Sequence, residues 1–139
     1  MGLPLFCYGT LVFPAVMRAV TGLNLRGRAA VLPGYRVALI AGRNYPGIAP
    51  ADDRVGGVLY PDPGPLALAR LDRFEGREYR RLAVRVTCAS QRLRAWVYLP
   101  YARRARLSDA PWDPQRFARE DLDRYLAELR SISGTRDQD

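Results

Sequence analysis

The sequence predicts a single α+β domain with a mainly antiparallel, strongly curved sheet. Three observations carry that reading. The chain has 139 residues, a length suited to one domain. Five or six short apolar or alternating runs recur, most of them joined by turns too short for the crossover that parallel strands require. Two or three helical segments stand among them, and prolines mark their starts.

Residues 3–7 are a short apolar run and read as a buried strand that stops at Tyr8-Gly9-Thr10. A helix is expected over 14–19, with Pro14 in its first turn and Gly22 just past its end. Phe13 stands where a polar cap would be expected, so the entry to this helix is irregular. Residues 24–34 read as loop and a short edge strand, 35–40 as a strand, and 42–44 as a turn. Residues 45–49 are a weak strand interrupted by Pro46-Gly47, 50–53 a turn, and 55–60 a strand. Pro61-Asp62-Pro63-Gly64 breaks the chain before a helix over 65–75, which Gly76 ends. Residues 81–88 and 93–99 alternate and form a hairpin through 89–92. An Arg-rich loop follows over 100–112. Asp113-Pro114 then caps a helix to about residue 131, with an apolar stripe of Phe117, Leu122, Tyr125, Leu126 and Leu129. Residues 134–139 are expected to be a disordered tail.

Composition removes much chemistry. All 22 basic residues are Arg, and the chain has neither His nor Lys. Catalytic pairs that use His are therefore excluded, as are a Schiff base and a Walker A loop. Zinc would find two thiols and no imidazole. Cys7 and Cys88 lie in apolar stretches and read as buried thiols of a reducing compartment. No apolar run approaches the roughly 20 residues of a membrane span, and residues 1–6 lack the basic segment of a signal peptide. The expectation is a cytoplasmic protein with no membrane partner. Residues 1–100 hold 14 Arg against six acids, whereas 101–139 are balanced at eight and eight. The surplus points to an anionic substrate, to nucleic acid, or to a bare preference for Arg over Lys.

Three groups of residues can carry chemistry. Tyr8-Gly9-Thr10-Leu11 sits at a strand-to-helix turn, where successive amides converge and would hold a small anion; it also reads as a simple turn. At about 100° per residue, Glu75 falls between Leu68 and Leu71 on the apolar stripe of its helix. It also lies at the helix C-terminus, where the dipole disfavours negative charge. Both effects raise its pKa, as a general acid or base requires. The alternative is a buried ion pair with Arg73, Arg77 or Arg80. Glu78, beyond Gly76, reads as solvated. Tyr8, Tyr45 and Tyr79 flank these groups and serve either the site or a structural hydrogen bond.

Taken in order, several segments resemble the γ-glutamylcyclotransferase-like superfamily, in its AIG2-like or γ-glutamylamine cyclotransferase-like branch. They are Phe6-Cys7-Tyr8-Gly9-Thr10-Leu11, Leu32-Pro33-Gly34-Tyr35, Tyr45-Pro46-Gly47-Ile48 and Val55-Gly56-Gly57-Val58-Leu59-Tyr60. Leu71-Asp72-Arg73-Phe74-Glu75-Gly76 with Tyr79-Arg80-Arg81, then Ala95-Trp96-Val97-Tyr98, complete the set. The resemblance implies a small closed or nearly closed β-barrel with flanking helices. Residues 1–100 would be the catalytic barrel, and 101–133 a loop and C-terminal helix packing on it. It implies Glu75 as the catalytic carboxylate, with Tyr8, Gly9, Thr10 and Leu11 binding the γ-glutamyl group and Tyr45 and Tyr79 beside them. The implied reaction releases 5-oxoproline and a free amine from a small γ-glutamyl substrate by intramolecular aminolysis, with no cofactor and no metal. Arg43 would add positive charge near the site. Two other readings remain: a non-catalytic metabolite-binding module on the same fold, and a small basic nucleic-acid-binding domain. The second is disfavoured because the Arg are scattered and no basic-aromatic stripe is visible. The chain would be a monomer or a homodimer, the stripe of its last helix packing on its own barrel or on a second chain.

Overall fold

A strand of only three residues, β1 (Leu5–Cys7), closes the sheet. The computed structural model describes residues 2–138, with side chains through Ser131. After β1 come a single 3-10 turn (Thr10–Val12), α1 (Pro14–Thr21), β2 (Arg28–Leu39), β3 (Pro46–Tyr60) and α2 (Pro65–Glu75). The chain continues through β4 (Tyr79–Cys88), β5 (Gln91–Pro100), α3 (Pro114–Glu120) and α4 (Leu122–Gln138). The five strands form a closed barrel in the order β1-β3-β2-β4-β5. Every pairing is antiparallel except β1 with β5. This is the α+β barrel with flanking helices that the sequence resemblance implied.

Two cores lie on the two faces of the barrel wall. Phe6, Leu32, Ile48, Val55, Val86 and Val97 fill the interior. Leu5, Cys7, Tyr60 and Tyr98 point outward and meet Leu11, Val16, Met17, Leu71 and Leu126 from the helices. β1 is thus buried on both faces, which is why it reads as a continuous apolar run. The apolar stripe of the last helices packs within the chain. Phe117 stacks on Phe13 at 5.7 Å and meets Tyr125 edge-on at 5.4 Å.

β1 is shorter than the 3–7 expected, and the other four strands are longer than the sequence reading. β2 is one strand of 12 residues with a bulge between Pro33 and Tyr35, not a loop and short edge strand followed by a separate strand. The turn expected at 50–53 is absent, because β3 runs unbroken for 15 residues and Pro50 pairs opposite Tyr35. β1 covers only Val58–Tyr60 on the far side of β3. Most of β3 is therefore bonded along one edge, where a proline lacking an N–H is tolerated. The helix expected from Pro114 is also two helices. Asp121 leaves helical geometry at φ −124°, ψ −23°, and this break lets Phe117 and Tyr125 converge. Asp113 caps α3 as expected, accepting from the amides of Gln115 and Arg116. The last helix runs to Gln138, past the end expected near residue 131 and into the segment expected as a tail, whose side chains and last residue lie outside the described residues. Among the described residues no helix is long and apolar enough to cross a membrane.

The approach of β1 to β3 requires a glycine at one position. A Cβ on Gly57 would collide with the carbonyl oxygen of Cys7 and lie 2.8 Å from Phe6 Cζ, whereas one on Gly56 meets open space. Gly57→Ala should destabilise the protein by about 1–3 kcal/mol, the cost of overpacking. Gly56→Ala should change stability by less than about 0.5 kcal/mol. Urea unfolding of the two variants checks the contrast.

Candidate active site

A cavity of about 170 Å³ opens at the end of the barrel where β1 and α2 finish and β3 and β4 begin. That volume is below the range of drug-sized pockets and suits a group about the size of one amino acid. The sequence-predicted residues Glu75, Tyr8, Gly9, Thr10, Leu11, Tyr45 and Tyr79 all line it. Phe6, Cys7, Pro46, Phe74 and Glu78 complete the wall with Tyr98 and Tyr125.

The loop after β1 is held by its own bonds and by neighbours. Tyr8 is buried, and its hydroxyl donates to the Tyr98 carbonyl at 2.7 Å. Gly9 lies so close to β3 that a Cβ there would stand 3.2 Å from Pro46 Cγ. The turn closes through Val12 N–H to Gly9 O at 3.1 Å and Phe13 N–H to Thr10 O at 3.2 Å. The amides that open such a turn have no acceptor within it. Phe13 gives α1 no side-chain cap, so the irregular entry expected from the sequence is this 3-10 turn. Thr10 Oγ1 and the Tyr125 hydroxyl share a hydrogen bond of 3.2 Å, which ties the loop to α4.

Glu75 ends α2, and Gly76 terminates the helix with its amide on the Asp72 carbonyl at 3.0 Å. Its carboxyl lies in the cavity wall. Burial pushes its pKa up to about 8, and the nearby carboxylates of Glu78 and Asp72 add in the same direction. The ion pair with Arg73, Arg77 or Arg80 does not form. The described ion pairs are Arg81–Asp72, Arg116–Glu120 and Arg124–Asp121, and those three arginines are exposed. Asp72 is held instead by Arg81 at 2.9 Å and by the Tyr98 hydroxyl at 2.7 Å. Burial raises the Asp72 carboxyl, but these bonds outweigh it and leave its pKa below the ordinary value. Arg81 also stacks over Trp96 at 4.2 Å. The end of α2 is thereby braced against β4 and β5.

The tyrosines are mostly committed. Tyr79 donates to the Pro46 carbonyl at 2.7 Å, and burial raises its pKa far above the phenol range. Burial raises Tyr8 and Tyr98 likewise. Tyr45 donates to Glu78 Oε1 at 2.8 Å, and burial with that bond pushes it up to about 12. At neutral pH all of these are protonated walls and braces. Burial also raises the Cys7 thiol, so it is no thiolate nucleophile.

Sequence reasoning missed three contributors. Glu78 is not simply solvated: it is half-buried, takes the Tyr45 hydroxyl and lines the cavity. Tyr98 stood in the alternation of β5 and in the Ala95–Tyr98 segment of the resemblance, and neither marked it for the site. Tyr125 read as part of an apolar stripe, which marked burial without marking a site. Among the described residues no three His, Cys, Asp or Glu side chains cluster as a metal-ligand set. What the cavity offers is one carboxyl group with a pKa near neutrality, held rigidly beside a loop of backbone amides, in a space for a small ligand.

In a five-stranded barrel with such a cavity, a carboxyl of this kind can transfer protons on a small bound molecule. The chain belongs to the AIG2-like γ-glutamyl cyclotransferase family, whose model matches residues 5–115. Among solved structures it is similar to an Arabidopsis thaliana protein at 21% identity and TM-score 0.68, covering 97% of this chain and 84% of that one. A protein described as a gamma-glutamyl cyclotransferase aligns at 18% identity and TM-score 0.67, covering 92% and 86%. A mouse AIG2-like protein aligns at 21% and 0.60, covering 80% and 85%. At such identities the likeness is one of fold. No curated protein matches by sequence.

The raised pKa of Glu75 has a consequence for stability. Below about pH 4.5, its ordinary value, the group is protonated folded and unfolded and costs nothing. Between about 4.5 and 8 the unfolded group ionises while the folded one keeps its proton, so stability falls as pH rises. Above about 8 the loss is complete. Glu75→Gln should therefore raise Tm relative to wild type at pH 9 and change it little at pH 4. Scanning calorimetry at the two pH values measures this, and a Glu75 held in an ion pair would give the opposite sign.

Proposed function

We propose that the protein is a γ-glutamyl cyclotransferase that uses Glu75 as its general acid and base. Its small γ-glutamyl donor would release 5-oxoproline and a free amine. The single observation that carries this is the half-buried Glu75 carboxyl, in no ion pair among the described residues and facing a cavity the size of one amino acid. Membership in the AIG2-like γ-glutamyl cyclotransferase family supports it.

The donor's α-amine attacks its own γ-carbonyl, and the new C–N bond closes a five-membered ring. Glu75 takes the proton that the attacking nitrogen loses. The tetrahedral intermediate then expels the leaving nitrogen, which receives that proton back from Glu75. The carboxylate is regenerated, so the reaction balances without a further reactant. Because the nucleophile and carbonyl belong to one molecule, the protein mainly has to hold the folded rotamer. The amides of Gly9, Thr10 and Leu11 are assigned the donor's α-carboxylate or the developing oxyanion. Tyr8, Tyr45 and Tyr79 shape the walls, since their hydroxyls already donate within the protein.

Three outcomes are expected. Incubation with γ-glutamyl amino acids, γ-glutamyl-ε-lysine, glutathione and γ-glutamyl amines should release 5-oxoproline from at least one. Glu75→Gln should lower that release by about 10²–10⁴-fold. The absence of release from every donor, or full activity in the variant, overturns the assignment. Since the base form of Glu75 is required, kcat/KM should rise with pH and level off above about 8. A flat profile from pH 6 to 9 would count against the role of Glu75.

A further inference from the structure

We infer that Tyr125, on the last helix, is a further substrate-binding residue: its hydroxyl, backed by Thr10, donates a hydrogen bond to the α-carboxylate of the donor. This rests on the cyclotransferase reading above. It adds a side chain that lies beyond residues 5–115, the stretch matched by the family.

Among the described residues no arginine lines the cavity, whereas two carboxyl groups do, Glu75 and Glu78. A γ-glutamyl donor brings a permanent negative charge on its α-carboxylate. Burying that charge without hydrogen-bond donors is costly, so neutral N–H and O–H groups have to meet it. Its two oxygens present about four acceptor sites. The developing oxyanion draws on the same loop amides, which leaves acceptor sites for a hydroxyl to fill.

Six hydroxyl side chains line the wall, and four are spent. Tyr8 and Tyr79 donate to backbone carbonyls at 2.7 Å, Tyr45 to Glu78 at 2.8 Å and Tyr98 to Asp72 at 2.7 Å. The remaining two, Thr10 and Tyr125, bond to each other at 3.2 Å. Each hydroxyl has one proton, and one proton serves that bond. The pair therefore keeps a second proton that no described group accepts.

The spare proton belongs to Tyr125. Thr10 is only 7% exposed, while Tyr125 is half-buried. A phenol is also more acidic than an aliphatic alcohol and so the stronger donor. A hydroxyl that accepts one bond donates the next more strongly. Burial pushes the Tyr125 pKa up to about 12; the Thr10 bond acts the other way, and the charge of Glu75 adds to the rise. The phenol thus keeps its proton at neutral pH. Its ring is held in place. Phe117 meets it edge-on at 5.4 Å and packs in turn on Trp112 at 5.5 Å and Phe13 at 5.7 Å. Phe13 directly follows the Thr10–Val12 turn, so the loop and the last helix present their donors as one unit.

Calorimetric titration reads the contact without turnover. The ligands are 5-oxoproline, which retains the donor's α-carboxylate, and 5-oxoprolinamide, which lacks it. Tyr125→Phe keeps the ring and removes the hydroxyl. It should weaken 5-oxoproline binding about tenfold or more, the scale of a hydrogen bond to a charged group, and the amide by no more than about threefold. Thr10→Val removes the same internal bond from the other side and leaves the Tyr125 hydroxyl in place, so it should weaken 5-oxoproline less than Tyr125→Phe does. A bond that merely fastens the loop to α4 predicts equal losses in the two variants and for the two ligands. The Tm of each variant reports whether it folds. In turnover, the loss in Tyr125→Phe should fall on KM more than on kcat, because the carboxylate keeps its charge throughout the reaction. Equal losses for the two ligands, no loss in Tyr125→Phe, or no binding of 5-oxoproline to the wild-type protein overturns the inference. Release of 5-oxoproline from the donor panel is a separate measurement, and the cyclotransferase reading stands or falls on that alone.

Discussion

The insertion of β1 between β3 and β5 is the constraint on which the rest depends. Three residues do three things at once. Their backbone closes the barrel, pairing Leu5 with both Tyr60 and Trp96. Their side chains join two cores, Phe6 inward and Leu5 and Cys7 outward. Their end delivers the Tyr8–Leu11 loop to the cavity. A strand so short has no room for slippage, because a shift of one residue would exchange its two faces. The Gly57 contact and the buried Tyr8 hydroxyl fix it further.

Around that fixed loop the protein keeps a destabilising group. Burial and the nearby carboxylates disfavour the charged form of Glu75, and among the described residues no cation pairs with it. The adjacent acid, Asp72, is treated in the opposite way, with two charge-assisted partners. Two carboxylates three residues apart on one helix are thus driven to opposite protonation behaviour by their surroundings. That separation is the electrostatic pattern expected where one group braces and the other exchanges protons. Tyr8, Tyr45, Tyr79 and Tyr98 reinforce it, since their hydroxyls are spent on fixed protein acceptors and the walls stay in place.

The chain's positive charge acquires a location only in three dimensions. In sequence Arg43 stands far from the arginines at 103–106. The bridge between Ile40 and Leu107 brings their segments together beside Glu78. A net charge of +8 says little about partners until that convergence is known.

The sequence by itself determined the fold class, the helix boundaries at Pro14, Pro65 and Gly76, and the hairpin of β4 and β5. These depend on local signals: first-turn prolines, a terminal glycine, and period-two alternation. It also singled out Glu75, because a carboxylate on an apolar stripe contradicts its surroundings within a single helix. Tertiary structure decided the continuity of β2 and β3 through Pro33 and Pro50, since edge exposure and a bulge depend on which strand lies alongside. It decided that Glu78 faces the cavity and that Tyr98 and Tyr125 belong to the wall. It also left Glu75 without Arg73, Arg77 or Arg80. Those outcomes turn on distances between residues remote in the chain, which hydrophobic periodicity does not encode. Periodicity states that a side chain is buried, and only the closed barrel states against what.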